Sequence, residues 1–316
     1  MFRYKSYVNE VYKEKSFSKA AENLYISQPS LSARIIKLEE ELGMPIFDRS
    51  TSPLRLTEFG EVYMEALREV DAIERRIENY ISDISHLRTG KLTIGASNVF
   101  AAYVIPPLIS EFQKRYPEVK IRLIEGNTET LEALLASNEL DMVADHNHYN
   151  AELYEKEVYA SECILLAVPR TFKMCREAQN YALKAEDIES GAYLSDAVAA
   201  ADLSFFSSFP FVMLAPGNDT RIRADKMCRE AGFRPLVALE VHQQATAYMI
   251  AATQLGATFV SDTVIKKLPR NEELCYYKIG SAAARREVCF YYKKHKYKTR
   301  AMQEFMKLIH EKTEEN

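Results

Sequence analysis

The chain has 316 residues, of which 47% are hydrophobic, and its formal net charge is −4 at pH 7. This length indicates two or three domains, and no apolar run approaches the roughly 20 residues of a membrane span. The first residues, MFRYKSYVNEVYKEK, are too polar for a signal peptide, so we expect a cytoplasmic protein. A slightly acidic chain is not a general nucleic-acid coater, and any attraction to DNA has to be local.

The N-terminal segment has the pattern of two helices joined by a tight turn. Residues 2–15 are predicted to form a supporting helix with one apolar face. Ser18 is predicted to cap a short helix over residues 19–24, because its hydroxyl can accept from a free N–H of the first turn. Ser27 is predicted to cap the next helix, with Pro29 in the first turn, where the missing N–H costs little.

This second helix has one apolar and one polar face. Gly43 is predicted to end it. Its apolar side chains recur at spacings of four, three and four: Leu31, Ile35, Leu38 and Leu42. With that stripe buried, the outer face and the N-terminal end carry short polar and basic side chains that can reach base edges or phosphates in a major groove. They are Gln28, Pro29, Ser30, Ser32, Ala33, Arg34 and Lys37.

A strand, a turn and a second strand are predicted over residues 46–55. Arg49 and Arg55 bracket a small Ser-Thr-Ser-Pro tip, which predicts a wing that contacts the DNA backbone or the minor groove. The alternative is an ordinary helical hairpin with a solvated polar face, since capped helices are common in all proteins.

The residue string itself is more specific than this pattern. AAENLYISQPSLSARIIKLEEELGMPIFDR closely resembles the DNA-binding motif of the LysR-type transcriptional regulators, and LRLTEFGE resembles their wing and the start of their linker helix. The resemblance implies a winged helix-turn-helix over residues 1–58 that binds double-stranded DNA. Many members have arginine where this chain has Ala33, so the base preference stays open. By position it implies recognition-helix contacts from Ser27, Gln28, Pro29, Ser30, Ser32 and Arg34, and wing contacts from Arg49 and Arg55.

A heptad seam follows the wing. Its steps of three and four predict that a linker helix over residues 59–89 pairs two copies of the chain as a coiled coil. A homodimer suits an inverted-repeat operator, because each copy reads one half-site. The alternative is a long helix packed on its own body. The seam consists of Tyr63, Ala66, Val70, Ile73, Ile77, Tyr80, Ile84 and Leu87.

From residue 90 onward, strands and helices alternate, which predicts an α/β domain with a parallel sheet. The first lobe is predicted to contain strands 91–96, 119–125 and 140–144 and helices 103–116 and 129–137. Strand 158–168 crosses into a second lobe with strands 211–215, 236–241 and 257–260 and helices 220–230 and 243–253. Strands 274–279 and 288–292 and helix 300–312 are most simply returned to the first lobe. We therefore expect lobe I over about residues 90–161 and 269–316 and lobe II over about 162–268.

The string from Ile94 to Ala144 looks like the first half of the effector-binding domain of the same family. The resemblance implies a two-lobed fold like that of periplasmic binding proteins, over residues 90–316. It also implies a homotetramer, built as a dimer of dimers. Residues 171–210 are longer than in many members and are predicted to be a flap over the cleft or, with some preference, a surface excursion.

A ligand is expected between the lobes, beyond the carboxyl ends of the strands, where helix N-termini favour an anionic small molecule. Ser97 and Thr128 also match positions that often touch effectors in the family, although such a residue alone is more often just an N-cap. His146 with His148 is too little for a metal site, and no cofactor is expected. The predicted effector-binding residues are Ser97, Asn98, Thr128, His146, Thr220 and Gln244.

Two other functions are weaker alternatives. A thiol redox sensor on the same scaffold needs a reactive cysteine in a mobile loop, for which Cys175 is the candidate, whereas Cys163 and Cys289 are expected to be buried and inert. An enzyme is not expected, because the sequence has no nucleophile elbow, phosphate-binding glycine loop or metal set.

Overall fold

The computed structural model describes residues 2–84, 90–173 and 176–315. It divides into two compact units, of which the first runs to Ile81 and the second takes most of the remaining chain. Among the described residues, no helix is both long enough and apolar enough to cross a membrane.

The first unit is a winged helix-turn-helix followed by a long helix, as predicted. Its buried apolar core is shared by the helices and by the first strand of the wing, with Leu31, Ile35 and Phe47 among its members. Its elements are α1 (Lys5–Glu14), α2 (Phe17–Asn23), α3 (Gln28–Leu42), the antiparallel pair β1 (Phe47–Asp48) and β2 (Arg55–Leu56), and α4 (Glu58–Ile84).

The ends of α3 confirm the predicted caps. Ser27 accepts a hydrogen bond from the Ser30 amide at 3.4 Å, and Gly43 ends the helix in the left-handed conformation with φ +74°. The predicted cap of α2 is wrong. Ser16, which has an extended backbone, accepts from the Lys19 amide, and Ser18 already lies inside the helix.

The burial of the apolar side chains of helix α4 changes along its length. Tyr63 is 4% exposed and its ring stacks on Phe2, so the first turns of α4 belong to the core of this unit. Farther along, Ile73 is 48% exposed and Ile77 is 54% exposed. Tyr63 therefore packs within its own unit and not in a seam between two copies, whereas Ile73 and Ile77 are open to a second copy. Leu87 lies outside the described residues, as do the side chains of Tyr80 and Ile84.

The second unit is an α/β domain. In chain order its elements are β3 (Gly90–Ala96), a π-helical turn (Phe100–Val104), α5 (Ile105–Arg115), β4 (Val119–Glu125), α6 (Thr128–Ala136), β5 (Met142–Asp145), β6 (Tyr154–Pro169), α7 (Arg176–Gln179), α8 (Ala185–Glu189), β7 (Pro210–Leu214), α9 (Asp219–Glu230), β8 (Leu236–Val241), α10 (Gln244–Ala251), β9 (Thr258–Ser261), α11 (Asp262–Lys267), β10 (Leu274–Lys278), β11 (Arg285–Lys293) and α12 (Arg300–Glu315).

The 16-residue strand β6 belongs to both lobes. Its first half pairs with β11, which continues through β5 to the parallel strands β3 and β4. Its second half pairs with β9 and β10. A separate parallel pair, β7 and β8, completes the second lobe.

Each lobe has its own apolar core. In the first lobe, α5 and α12 cover the sheet, and Phe112 stacks edge-on against Phe305 at 5.3 Å between ring centroids. In the second lobe, α9 packs into a core that it shares with β6, β7 and β9, and Phe211 stacks on Phe259.

Two expectations about the second lobe are wrong. Strand β10 does not return to the first lobe, because it pairs with the second half of β6, from Leu274 opposite Pro169 to Lys278 opposite Leu165. Strand β11 and helix α12 do return, as expected. Residues 176–210 are not a surface excursion either, since Tyr193 and Phe206 are buried in the cores of this lobe.

Candidate functional site

The N-terminal turn of α3 is open to solvent. Gln28 and Pro29 are exposed there, next to the cap Ser27, and Lys37 is exposed two turns farther along. This face is available because the apolar stripe of Leu31, Ile35 and Leu38 is fully buried on the other side. The helix can therefore enter a groove with its N-terminal end and outer face, as the sequence predicts.

Arg34, predicted to contact DNA, is held by the supporting helix α1. Its Nη1 donates to the hydroxyl of Tyr7, and its guanidinium lies 4.9 Å from the centre of the Tyr7 ring. A cation over an aromatic face is restrained by the ring quadrupole. The sequence did not predict this partner, because the helix over residues 2–15 was expected only to pack through an apolar face.

Arg49 of the wing is held against the recognition helix. Its Nη2 donates to Glu39 Oε2 at 2.7 Å, and its guanidinium lies 5.3 Å from the centre of the Phe17 ring. Glu39 Oε1 accepts in addition from the amides of Ile46 and Phe47, at 2.8 and 3.2 Å. The ion pair is partly exposed and contributes little stability, so its effect is to fix the wing relative to α3. Arg55 is exposed on β2.

In the second unit, polar residues gather where strands of both lobes end. Asp145 closes β5 and is fully buried, and burial raises its pKa. It accepts from the Thr128 hydroxyl at 3.0 Å, from the Tyr149 hydroxyl at 3.2 Å and from the amide of His146. Thr128 is thus a partner of Asp145, while Asn127 caps the first turn of α6 through the Thr130 amide.

The start of α9 carries the matching group of the second lobe. Asn218 caps this helix by accepting from the Thr220 amide at 2.9 Å. Asp219, the next residue, accepts from Arg223 Nε and from Arg286 Nη1, both at 2.8 Å. His146 reaches across from the first lobe, with its Nε2 3.4 Å from Asp219 Oδ2.

Arg286 of β11 is the centre of the cluster. Its side chain is 1% exposed, and its Nε and Nη2 contact Glu162 Oε2 at 2.6 and 2.5 Å. Nη1 also donates to the hydroxyl of Thr220 at 3.0 Å. Burial alone would lower the pKa of Arg286, but the charges of Glu162 and Asp219 outweigh burial and raise it. Such a pair is stable only because both ions are partnered.

Gln244 extends the cluster toward β9. Its Nε2 donates to Thr220 Oγ1 at 3.0 Å, and its Oε1 accepts from the Ser261 amide at 2.9 Å. Three predicted effector residues, His146, Thr220 and Gln244, are therefore joined in one network. Asn98 is not part of it and donates to Glu125 at 2.8 Å.

The surroundings of the His146 ring disfavour its protonated form. Burial and, next, the charges of Arg286 and Arg223 hold its pKa well below the usual value of 6.5. Both ring nitrogens face carboxylates: Nε2 lies 3.4 Å from Asp219 Oδ2, and Nδ1 lies 3.8 Å from Asp145 Oδ1. The ring also meets Phe100 edge-on, at 5.6 Å between centroids.

Four charged residues of this cluster were not predicted: Glu162, Asp219, Arg223 and Arg286. A signal existed for Glu162, since it interrupts an apolar strand sequence. Charged side chains are almost never fully buried without a partner, so this interruption would have suggested a buried counter-ion. Arg286 gave no such signal, because it lies between Arg285 and Glu287.

The described cysteines do not have the features of a redox sensor. All four are free, and burial raises the pKa of Cys163, Cys275 and Cys289 and that of Cys228 to about 12. A raised pKa reduces the thiolate fraction that reacts with oxidants. Cys175 lies outside the described residues, so the thiol-sensor alternative stays a prediction. Within the described ranges, no three His, Cys, Asp or Glu side chains are arranged to hold a metal ion.

Comparison with protein families agrees with both units. Residues 3–61 match the model of the bacterial regulatory helix-turn-helix protein, lysR family, and residues 85–314 match the LysR substrate binding domain. The HTH-type transcriptional regulator YcgK of Bacillus subtilis (strain 168) is 31% identical over 309 residues, 96% of this chain and 92% of that protein. CysL of the same organism is 24% identical over 280 residues, 89% and 87% of the two chains.

Solved structures share the fold. The crystal structure of full-length CbnR complexed with its target DNA superimposes with a TM-score of 0.68 at 17% identity, over 99% of each chain.

Proposed function

The chain belongs to the LysR family of bacterial transcriptional regulators, and from this premise we propose that it binds an inverted-repeat operator as a homodimer. We also propose that it responds to a small molecule held between the lobes of its second unit. In this proposal residues 1–58 read the DNA, residues 59–89 pair two copies, and residues 90–316 bind the effector. Members of this family are DNA-binding regulators and not enzymes.

The observation that carries the effector site is the cluster around Arg286. It joins the loop after β5 in one lobe, the shared strands β6 and β11, and the start of α9 in the other lobe. A molecule that enters between His146 and Asp219 therefore changes a contact that spans both lobes. A ligand shifts a two-state equilibrium only by its differential affinity for the two states, and an inter-lobe contact supplies that difference.

The charge of the effector is a separate proposal. Helix N-termini at this cleft favour an anionic group. Such a group has to share Arg286 and Arg223 with Asp219, which already pairs with both. Calorimetry against a panel of metabolites tests this point, and binding of neutral or cationic compounds alone would contradict it.

The direct test of the whole proposal is selection of bound sequences from random duplex DNA by the purified protein, followed by calorimetry with metabolites. We expect enrichment of an inverted repeat and at least one metabolite that alters operator affinity. A monomer without sequence preference contradicts the proposal.

Gln28→Ala is expected to lower discrimination between the selected operator and mutated operators by about 1–3 kcal/mol, because a Gln amide at this helix end pairs with base edges. Lys37→Ala is the matched comparison: as a phosphate contact it should weaken binding to all sequences equally and reduce the salt dependence. Titration of labelled duplexes at several salt concentrations measures both. Unchanged discrimination in the Gln28 variant removes this residue from the base contacts.

Ile77→Glu is expected to raise the dimer dissociation constant at least about 100-fold, because a charge at a coiled-coil seam has to be buried without a partner. Val62→Glu is the control, since Val62 is equally exposed on α4 but lies off the seam. Analytical ultracentrifugation gives the assembly state. Equal weakening by both changes would place the dimer contact elsewhere.

A second contact between copies is proposed on β8. This strand is the exposed edge of a two-stranded sheet, and its apolar residues Leu236, Val237 and Leu239 are exposed. An uncovered apolar edge strand favours association with another chain. This surface supports the tetramer that the family resemblance implies.

A further inference from the structure

A cavity of about 340 Å³ lies in the second unit, at the place where the shared strand β6 changes partners. Cys163 pairs with Arg285 of β11, and the next residue, Ile164, pairs with Ser261 of β9. The cavity is thus at the junction of the two lobes. Its volume falls within the range of small-molecule sites, which is about 300–1,000 Å³.

This cavity is separate from the cluster around Arg286. Arg285 and Arg286 are neighbours on β11, and successive side chains of a strand point to opposite faces of the sheet. Arg286 is buried against Glu162, whereas Arg285 is exposed and lies opposite Cys163. The described residues that line the cavity include Cys163 and Arg285 and no member of the Arg286 cluster. A ligand here therefore binds without displacing that cluster.

Two positive charges line the cavity, and in the described ranges neither forms an ion pair with a carboxylate. One is Lys278, the last residue of β10. Its Nζ donates to the carbonyl oxygens of Ser195 and Val198, both at 3.0 Å, so one of its three protons stays available. Ser195 directly follows Leu194, another residue of the lining, which places the ammonium group at the same wall.

The other positive charge is Arg285. Burial and, next, the charge of Asp262 raise the pKa of the Cys163 thiol, and the charge of Arg285 opposes this rise, so the guanidinium lies near the thiol at the cavity wall. A guanidinium presents a planar pair of donors that matches a carboxylate. Arg285 is therefore the group of this cavity that is best suited to bind an organic acid.

The hydroxyl groups of the lining are already engaged. The Tyr193 hydroxyl donates to Asp262 Oδ2 at 2.6 Å, and the Ser281 hydroxyl donates to Glu230 Oε2 at 2.6 Å. Asp262 is in turn paired with Lys266 at 2.7 Å. The side-chain donors that remain for a ligand therefore belong to the two cations, and most of the other lining residues are apolar.

We propose that this cavity binds a small carboxylic acid with an apolar body. Its carboxylate pairs with Arg285, and its hydrocarbon part packs against Ile164, Leu165 and Ile279, which line the cavity. This molecule is a second ligand, in addition to the effector proposed for the Arg286 cluster. Inorganic anions lack the apolar part, and neutral compounds lack the charge. Water that solvates the two cations is the competing occupant.

The test compares acids with their neutral amides. Full-length protein is titrated calorimetrically with hexanoate and hexanamide, with 3-phenylpropionate and 3-phenylpropanamide, and with acetate and inorganic phosphate. We expect at least one of the two larger acids to bind about tenfold more tightly, or better, than its amide, than acetate and than phosphate. A charge-assisted hydrogen bond is worth at least that ratio.

Variants assign the binding to this cavity. Arg285→Gln removes the free charge and is expected to weaken binding of that acid about tenfold or more. Leu194→Glu is expected to abolish it, because Leu194 is 47% exposed and glutamate there supplies a competing carboxylate. Arg170→Gln and Met249→Glu make the same changes at exposed positions outside the cavity and should bind like the original protein. Circular dichroism confirms that each variant is folded.

The outcomes decide the proposal without reference to the effector site. No binding of either larger acid, equal binding of acid and amide, or equally tight binding of acetate or phosphate overturns it and leaves water in the cavity. If Arg285→Gln or Leu194→Glu binds like the original protein, the acid is held elsewhere and the assignment fails. The inter-lobe effector site is tested separately, by metabolites that alter operator affinity.

Discussion

Arg286→Met is expected to destabilise the second unit by about 3–5 kcal/mol, because it leaves a buried carboxylate without its counter-ion. Glu162 is 1% exposed and loses both of its contacts with the guanidinium, and Asp219 loses one of its two cationic partners. Urea unfolding monitored by circular dichroism measures the loss. No pair elsewhere among the described salt bridges has both side chains this deeply buried.

Two comparisons make the result specific. Arg285→Met removes the exposed neighbouring arginine and should change stability by less than about 0.5 kcal/mol. The double change Arg286→Met with Glu162→Leu should recover part of the loss, since replacing both ions by apolar groups avoids an unpaired charge. A single variant as stable as the original protein would mean that the pair is not buried in solution.

Gly60→Ala is expected to destabilise the first unit by about 1–3 kcal/mol, as overpacking does, although alanine is favoured over glycine in helices by about 1 kcal/mol. A Cβ on Gly60 would lie 2.0 Å from the carbonyl oxygen of Ile46. That oxygen also accepts from the Thr57 amide at 3.0 Å, so the backbone cannot retreat without loosening the junction of wing and α4. Thermal unfolding measures the effect, and affinity for the operator should fall with it.

Glu65→Ala is the control for this change. Glu65 is exposed on the same helix, and alanine there should leave stability nearly unchanged. If Gly60→Ala instead raised the melting temperature by the helix-propensity gain, the close approach to Ile46 would not exist in solution.

Local chemistry made most elements of the first unit predictable. Ser27, Pro29 and Gly43 are signals that act within one turn, and the structure places each as expected. Ser16 and Ser18 are equally good caps by residue type, and only the backbone conformation distinguishes them. The sequence therefore predicted the helix but not its first residue.

Long-range pairing explains the errors in the second unit. Strand β10 has the apolar pattern of a buried strand in either lobe, and its place depends on β6, about a hundred residues earlier in the chain. The same limit applies to the site. His146, Thr220 and Gln244 follow strand ends and were predicted from position, whereas Arg286 and Glu162 face each other across 124 residues of sequence.

The shared strand β6 has a consequence for how this unit can be divided. Because its two halves hydrogen-bond to different sets of strands, a fragment that contains only one lobe leaves half of β6 with bare edges, which promotes aggregation. Neither lobe is then a separate folding unit, and residues 90–315 should lose structure in a single cooperative step. Truncations for crystallisation or for ligand screening should keep that whole stretch intact.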